Sequence, residues 1–504
     1  MPCDDADLPF DCEFACAWKR CPGIELVVGW WKRCCRVSRW EATFVFICIV
    51  PFLPPIATAQ EQNQERPQYE LIRYEEDWSS LRDASRRTHF LDSLKYIPLG
   101  RRNDWYLTLG GETRHRYEYF KNPTWGLDPQ DNDGYLLQRY MIHADLHLGE
   151  RFRVFGQLKS NIENGRTGGP RPPDEDRLDV HQAFIETQPW AAGDGQRLSV
   201  RAGRQEISLG SSRLVGIREG PNVRQSFDGG RLKLEHSGWK IDALALRPAE
   251  TNRGVFDDSP GHERSLWGVY ANGSIPILPG NADLYYLGLD RKSHEFDQGT
   301  AREQRHSLGF RLFGNPEQWD YDYEAVWQFG TFGPSRIRAW TVASNTGYTW
   351  RDFPFQPRLG LKADVASGDN DPFDRSLGTF NALFPKGAYF TEADLLGPYN
   401  LMDLHPSLTL NITEAVTFTL DADFFWRHST RDGIYDNPGN LLVSGGTSRA
   451  RYTGAHTNIA VEWQATPQLK FEAHYLHFFP GRFLKEVGLN RPVNFVGIWV
   501  KYMF

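Results

Sequence analysis

The stretch RYMIHADLHLGERFRVFGQLK, residues 139–159, decides how the rest of the chain is read. Tyr140, Ile142, Ala144, Leu146 and Leu148 share one parity, while Arg139, Met141, His143, Asp145 and His147 share the other. That is the two-residue period of a strand with one apolar face. Beyond Gly149-Glu150 the alternation resumes, with Phe152, Val154 and Leu158 opposite Arg153, Gln157 and Lys159. Two alternating runs joined by a tight link predict a β-hairpin.

The same alternation recurs in RLGLKADV (358–365), VTFTLDADFFW (416–426), NIAVEWQ (458–464) and LKFEAHY (469–475). It ends in GIWVKYMF (497–504), where Ile498, Val500, Tyr502 and Phe504 share a face. A soluble β-sandwich alternates too. Two features favour a membrane barrel instead. The polar faces carry ionised side chains, and the apolar faces are rich in Tyr, Trp and Phe near strand ends, as in interfacial girdles. Connections also alternate between tight (NITEA, ATPQ) and long and polar, as in NPTWGLDPQDND, NGRTGGPRPPDEDR and STRDGIYDNPGNLLVSGGTSR. Short periplasmic turns and long extracellular loops are the asymmetry of a bacterial outer-membrane barrel.

The amino-terminal region supports export. All seven cysteines, Cys3 to Cys48, lie at the start of the 504-residue chain. Lys32, Arg33, Arg36 and Arg39 precede an apolar stretch over residues 42–56, and Ala57-Thr58-Ala59 supplies an A-x-A cleavage site. Residues 1–59 therefore read as a signal peptide with an atypical extension. A membrane anchor fits less well, because the stretch is short and holds three prolines. No later run is long enough for a spanning helix. Residues 60–100 read as a periplasmic or plug-like segment and 101–504 as the barrel.

The exported part, about 445 residues, at roughly 24 to 25 residues per strand with its connections, gives about 18 antiparallel strands, with 16 also compatible. The fold class is all-β, and the expected interior is an aqueous lumen. The 57 basic and 64 acidic residues, a formal charge of -7, argue against a nucleic-acid partner. The expected surroundings are outer-membrane lipid and lipopolysaccharide, with the chain a monomer.

After Ala59 there are 40 Arg and 11 Lys. A guanidinium pairs bidentately with carboxylates, which suits guidance of a polyanion. Parity turns Glu112, Arg114, Arg116, Arg139, His143, Asp145, Arg153 and Lys159 inward, and later Arg201, Arg231, Arg358, Lys362 and Asp364. These form the candidate pathway, interspersed acids keeping contact weak enough for conduction. The competing reading is an interstrand ion-pair ladder that braces the wall.

GRQEISLGSSRLVGIREGPNVRQSFDGGRLKL (203–234) and DVASGDNDPFDRSLGTFNALFPKGAYF (364–390) resemble the alginate-export family of outer-membrane porins. The resemblance implies an 18-stranded monomeric barrel with an arginine-lined constriction that passes a linear anionic polysaccharide outward. It also implies that the strand ending at Phe504 engages the barrel-insertion machinery and that a periplasmic secretion scaffold is a candidate partner. Arg204, Gln205, Glu206, Arg213, Arg218, Arg224 and Asp228 stand at family-motif positions, as pore lining or loop braces.

The expected function is an outer-membrane channel for an anionic, uronate-containing polysaccharide or related anionic solute. The alternative is a diffusion or uptake porin for small anions such as sugar acids. A remoter alternative is a barrel lipase or deacylase, for which His428-Ser429 are adjacent but point to opposite faces. No nucleophile elbow, zinc or nucleotide fingerprint appears, so no enzyme activity and no cofactor are expected. The acidic stretch 364–374 lacks EF-hand spacing and reads as a turn, with no metal expected.

Overall fold

In a computed structural model describing residues 67–100, 104–192, 195–275 and 280–504, the alternating runs form eighteen long strands. They are β1 (Trp105–Lys121), β2 (Tyr135–Leu148), β3 (Phe152–Asn164), β4 (Asp176–Ala192), β5 (Gln196–Gln205) and β6 (Phe227–His236). Next come β7 (Trp239–Glu250), β8 (Arg264–Ser274), β9 (Asn281–Phe296), β10 (Gly299–Gly314), β11 (Trp319–Phe332) and β12 (Ser335–Thr349). The last six are β13 (Arg358–Ala366), β14 (Leu401–Thr413), β15 (Val416–Arg427), β16 (Tyr452–Gln464), β17 (Leu469–Pro480) and β18 (Val493–Met503). Each pairs antiparallel with its sequence neighbours. β18 pairs with β1, Met503 opposite Glu112, which closes an 18-stranded barrel and leaves no sheet edge. The signal peptide expected over 1–59 lies outside the described residues.

The outer face is the apolar parity read from the sequence. Ile142, Trp327 and Ile498 are each more than half exposed, as the apolar outer band of a membrane barrel requires. Tight turns gather at the end where β1 begins. The β2–β3 link is 149–151, one residue longer than read from the sequence, and β6–β7 turns on Ser237-Gly238 with φ of 50° and 80°. Two positive φ values in a two-residue hairpin match strand twist and favour glycine. Longer connections gather at the opposite end, but not uniformly: β9–β10 and β11–β12 turn on two residues there, 297–298 and 333–334.

Two loops occupy part of the interior and narrow the expected aqueous lumen. The β5–β6 loop (206–226) and the β13–β14 loop (367–400) fold inward and join: Gly216 N donates to Phe384 O (2.9 Å), Phe384 N to Leu214 O (2.8 Å) and Lys386 N to Ser212 O (2.9 Å). Their Ile207, Leu214, Val215, Leu377, Phe380 and Phe384 pack with Leu244, Leu246, Leu266, Leu287, Leu289 and Val326 of the wall in one buried cluster. β7 and β9 carry apolar residues on both faces, IDALAL (241–246) and LYYLGL (284–289), because one face meets lipid and the other meets these loops.

The segment before β1 also lies against the inner wall. Tyr74 packs with Phe155, Phe184 and Ile217, and its hydroxyl donates to Glu206 O at 2.6 Å. Arg73, ion-paired with Glu76 at 2.6 Å, donates to the carbonyls of Gly111 (2.8 Å) and Phe504 (3.0 Å). It thereby clamps the β1–β18 seam, where Gly111 and Phe504 also exchange backbone hydrogen bonds of 2.7 and 3.0 Å.

Candidate functional site

The inward arginines of β1 and β2 meet the inward loop. Arg139, fully buried, bonds Glu112 (3.1 Å) and Glu219 (2.8 Å) and donates to the carbonyls of Glu219, Pro221 and Asn222. Arg114 donates to the carbonyls of Glu219 (2.7 Å), Gly220 (3.2 Å) and Pro221 (3.0 Å). Arg116 pairs with Glu118 (2.5 Å) and Glu392 (2.7 Å) and donates to Gly220 O (3.2 Å), tying both inward loops to one strand. Arg224 pairs with Glu206 at 2.7 Å and donates to Leu71 O at 2.9 Å. Burial opposes ionisation of Glu219, but Arg139, Lys501, Arg224 and Arg114 hold its carboxyl well below the usual range. Burial pushes Glu206 the other way, up to about 7, against the pull of Arg224.

The remaining expected residues are placed as follows. Arg153 grips Asp145 at 2.7 Å and donates to Tyr74 O at 2.6 Å. His143 is buried against Phe155. Lys159 bridges Asp176 (2.6 Å) and Asp258 (2.8 Å). Arg201 pairs with Glu186 at 2.6 Å and Arg231 with Asp242 at 2.7 Å. Arg204 holds Asp228 bidentately at 2.9 and 3.1 Å, Arg213 pairs with Asp322 (3.1 Å) and Glu324 (3.0 Å), and Gln205 is fully buried. Arg358 forks onto Asp320 at 2.8 and 2.6 Å, Lys362 donates to Tyr389 O at 3.3 Å, and Asp364 is buried beneath Ser344 N. Most of the arginines expected in the pathway are thus engaged by carboxylates of the wall and loops.

Other cations have no such partner. The side chains of Arg218, Arg264, Arg291 and Lys386 are partly exposed. Among the described residues they make no ion pair. Arg218, in the β5–β6 loop, has its pKa lowered by burial and by Arg291, against Tyr399, Asp394 and Asp436. Arg264 lies 5.1 Å from the centre of the Phe384 ring. These three arginines stand at the long-loop end. Lys386, in the β13–β14 loop, is lowered to about 8 by burial and then by Lys362 and Arg213. Burial raises Asp394, beside Arg218, to about 7, with Asp436 and Glu392 adding to it against an Asn437 hydrogen bond. Arg264, Arg291 and Lys386 were not singled out from the sequence. Two sit near strand ends where parity weakens, and one lies in a loop without a period.

The carboxylates of Asp176, Asp179 and Asp258 cluster within 4.8 Å, but Lys159 already supplies a cation to two of them. In the acidic stretch, Asp369 accepts from Gly378 N and Gln298, and Asp374 from Ser376 N, bracing a turn. His428 Nδ1 accepts from Gly368 N and Ser429 Oγ from Arg431 N, and no hydrogen bond joins His428 to Ser429.

Residues 105–493 match the alginate export family. No curated protein matches the chain. Among solved structures, the barrel is similar to OccD3 (OpdP) of Pseudomonas aeruginosa, with TM-score 0.54 and 12% identity over 82% of this chain and 93% of that one. It is similar to a BenF-like porin from Pseudomonas fluorescens, with TM-score 0.54 and 10% identity over 80% and 100%. OccK2 (OpdF) of P. aeruginosa, solved in complex with glucuronate, aligns with TM-score 0.51 and 12% identity over 81% and 99%. The closed barrel with two inward loops, together with a family match over most of its length, identifies the chain as a member of the alginate-export family with the fold of bacterial outer-membrane porins.

Proposed function

We propose that the protein conducts uronate-containing anions, an oligomeric or polymeric chain by preference, through a pathway marked by its unpaired cations. The observation that carries this reading is the division between two kinds of basic side chain. Arg114, Arg116, Arg139, Arg153, Arg201 and Arg231 are neutralised locally by carboxylates and carbonyls. Arg218, Arg264 and Arg291 on the long-loop side, and Lys386 in the β13–β14 loop, keep charge available to a solute. Conduction needs such contacts to be several and individually weak. A guanidinium matches a carboxylate in two parallel hydrogen bonds, so three on one side favour a solute with repeating carboxylates.

A second reading is uptake of single sugar acids. The apolar filling of the interior favours it, because it narrows the space for a polymer, as does the similar barrel solved with glucuronate. Single-channel recording in a planar bilayer separates the two. Conduction of oligo-uronates is expected to give current blocks whose duration grows with oligomer length, lost in the Arg218→Gln/Arg264→Gln/Arg291→Gln variant. Blocks by monomers alone would support the sugar-acid porin, and insensitivity to both would sink the uronate assignment.

A further inference from the structure

The outward face of β10–β12 carries an arrangement that conduction does not use. Cross-strand register sets the residues there in levels. Phe310, Ala325 and Val342 lie across from one another, then Leu308, Trp327 and Trp340, then His306, Phe329 and Arg338, and finally Gln304, Thr331 and Arg336. Successive levels are about 7 Å apart along the strands. The lower two levels belong to an open apolar groove of about 760 Å³, whose lining includes Val269, Leu284, Leu308, Phe310, Trp327 and Val342. The third level is aromatic and amphipathic: His306 stacks on Phe329 and Tyr286, whose hydroxyl lies 2.7 Å from His306 Nδ1. At this level and the one above it, towards the long-loop end, Arg338 and Arg336 are exposed. Neither side chain has an ion pair or hydrogen bond among the described residues. The neighbouring cation Arg302 differs, being neutralised by Asp290 at 2.8 Å.

From this stacking of apolar groove, aromatic step and paired free guanidiniums, we infer that the β10–β12 face is a docking site for a phosphorylated, multiply acylated glycolipid of the outer leaflet. The acyl chains occupy the groove against Leu308, Trp327 and Val342. The sugar lies at the level of His306 and Phe329, and the phosphate is forked by Arg336 and Arg338. The occupant must be anionic at one end and apolar at the other, with the transition at the membrane interface, and that order is the order of the levels. A zwitterionic phospholipid offers two guanidiniums a single phosphodiester charge that its own ammonium offsets, and a soluble anion would leave the groove unfilled. The two-residue turns at 297–298 and 333–334 leave this face uncovered by any long connection between β9 and β10 or β11 and β12.

The test uses the full chain reconstituted in phosphatidylcholine vesicles containing either bis-phosphorylated lipid A or its dephosphorylated form, with the bound lipid counted by native mass spectrometry. Wild type is expected to retain the phosphorylated lipid in preference to both other lipids. The Arg336→Gln/Arg338→Gln variant should lose that preference by roughly tenfold or more, since it gives up two charge-assisted contacts. Trp327→Ala should weaken retention of both lipid A forms alike. Arg253→Gln, an exposed loop change away from this face, should leave retention as in wild type. Heat-modified migration in gels shows that each variant is folded. Equal retention by the double variant would overturn the inference, as would equal retention of the dephosphorylated lipid by wild type. A stable dimer lost on the same substitutions would overturn it too, by assigning the face to a second copy of the chain.

Discussion

The inner wall of this barrel is built in two ways. Over β1–β5 it presents Glu112, Arg114, Arg139, Arg153, Lys159 and Arg201; the inward loop meets Arg114 and Arg139 with carbonyls and the Glu219 carboxylate, while Arg153, Lys159 and Arg201 are paired by Asp145, Asp176 and Glu186 of the wall itself. Over β7–β11 it presents Leu244, Leu246, Leu266, Leu287, Leu289 and Val326, and the same loop meets them with Leu214 and Val215. One loop therefore has a polar flank and an apolar flank, each matched to its half of the wall. The polar half fixes where the loop sits, because hydrogen bonds are directional. The apolar half removes the water that would compete with those bonds. A basic residue that faces inward is therefore not by that fact in the pathway. Its partners decide.

Several substitutions would break or sharpen this contrast. The largest effect is expected on the polar side. Arg139→Leu removes the shortest cation contacts of buried Glu112 and Glu219 and one donor from each of three loop carbonyls, so it should cost about 3 to 5 kcal/mol, read as a lower urea midpoint in lipid vesicles. A midpoint like wild type would show that the arginine is not bracing the loop. On the apolar side, Leu287→Ala should cost about 2 to 4 kcal/mol through the cavity it leaves. It should also raise conductance, since the loop it seats would loosen. Unchanged open-channel current would mean that the apolar flank does not hold the loop in place.

A smaller effect is expected from pH. Lys386, lowered to about 8, loses its proton as pH rises through that value, and Asp394, raised to about 7, gains one as pH falls through 7. Both changes make the interior more positive at lower pH. Preference for anions should therefore fall steadily from pH 6 to pH 9. Lys386→Arg should flatten the alkaline limb alone, and a profile rising with pH would contradict the assignment. The smallest effect is expected at the rim: Gly238→Ala, at a φ of 80°, should cost about 1 kcal/mol and leave selectivity untouched.

The same contrast explains what could be read from the sequence. The alternation in 139–159 and 416–426 gave the strands and their faces because lipid is a uniform solvent, and each outward position must satisfy it independently. The terminal GIWVKYMF was legible for the same reason, with Ile498 exposed and Lys501 inward near Glu219 at 3.4 Å. The loops packed inside the barrel were not read, although IDALAL and LYYLGL hold their signal: a strand apolar on both faces needs an apolar partner on its inner side. Inward parity also placed Arg139 and Arg153 correctly on the wall, yet parity is silent about partners. Glu219 and the carbonyls that engage Arg139 lie some eighty residues away in a loop without a period. Arg218 stood in the family motif, but Arg264 and Arg291 come beside it only through the closure of the barrel around two loops.

The most direct test sets the two kinds of arginine against each other. Reversal potentials across a salt gradient in a planar bilayer would be measured for wild type, for Arg218→Gln/Arg264→Gln/Arg291→Gln, and for Arg201→Gln/Arg231→Gln. If unpaired cations mark the pathway, the triple variant loses most of the anion preference while the paired double variant keeps it. Equal losses in the two variants, or a loss confined to the paired one, would contradict the account.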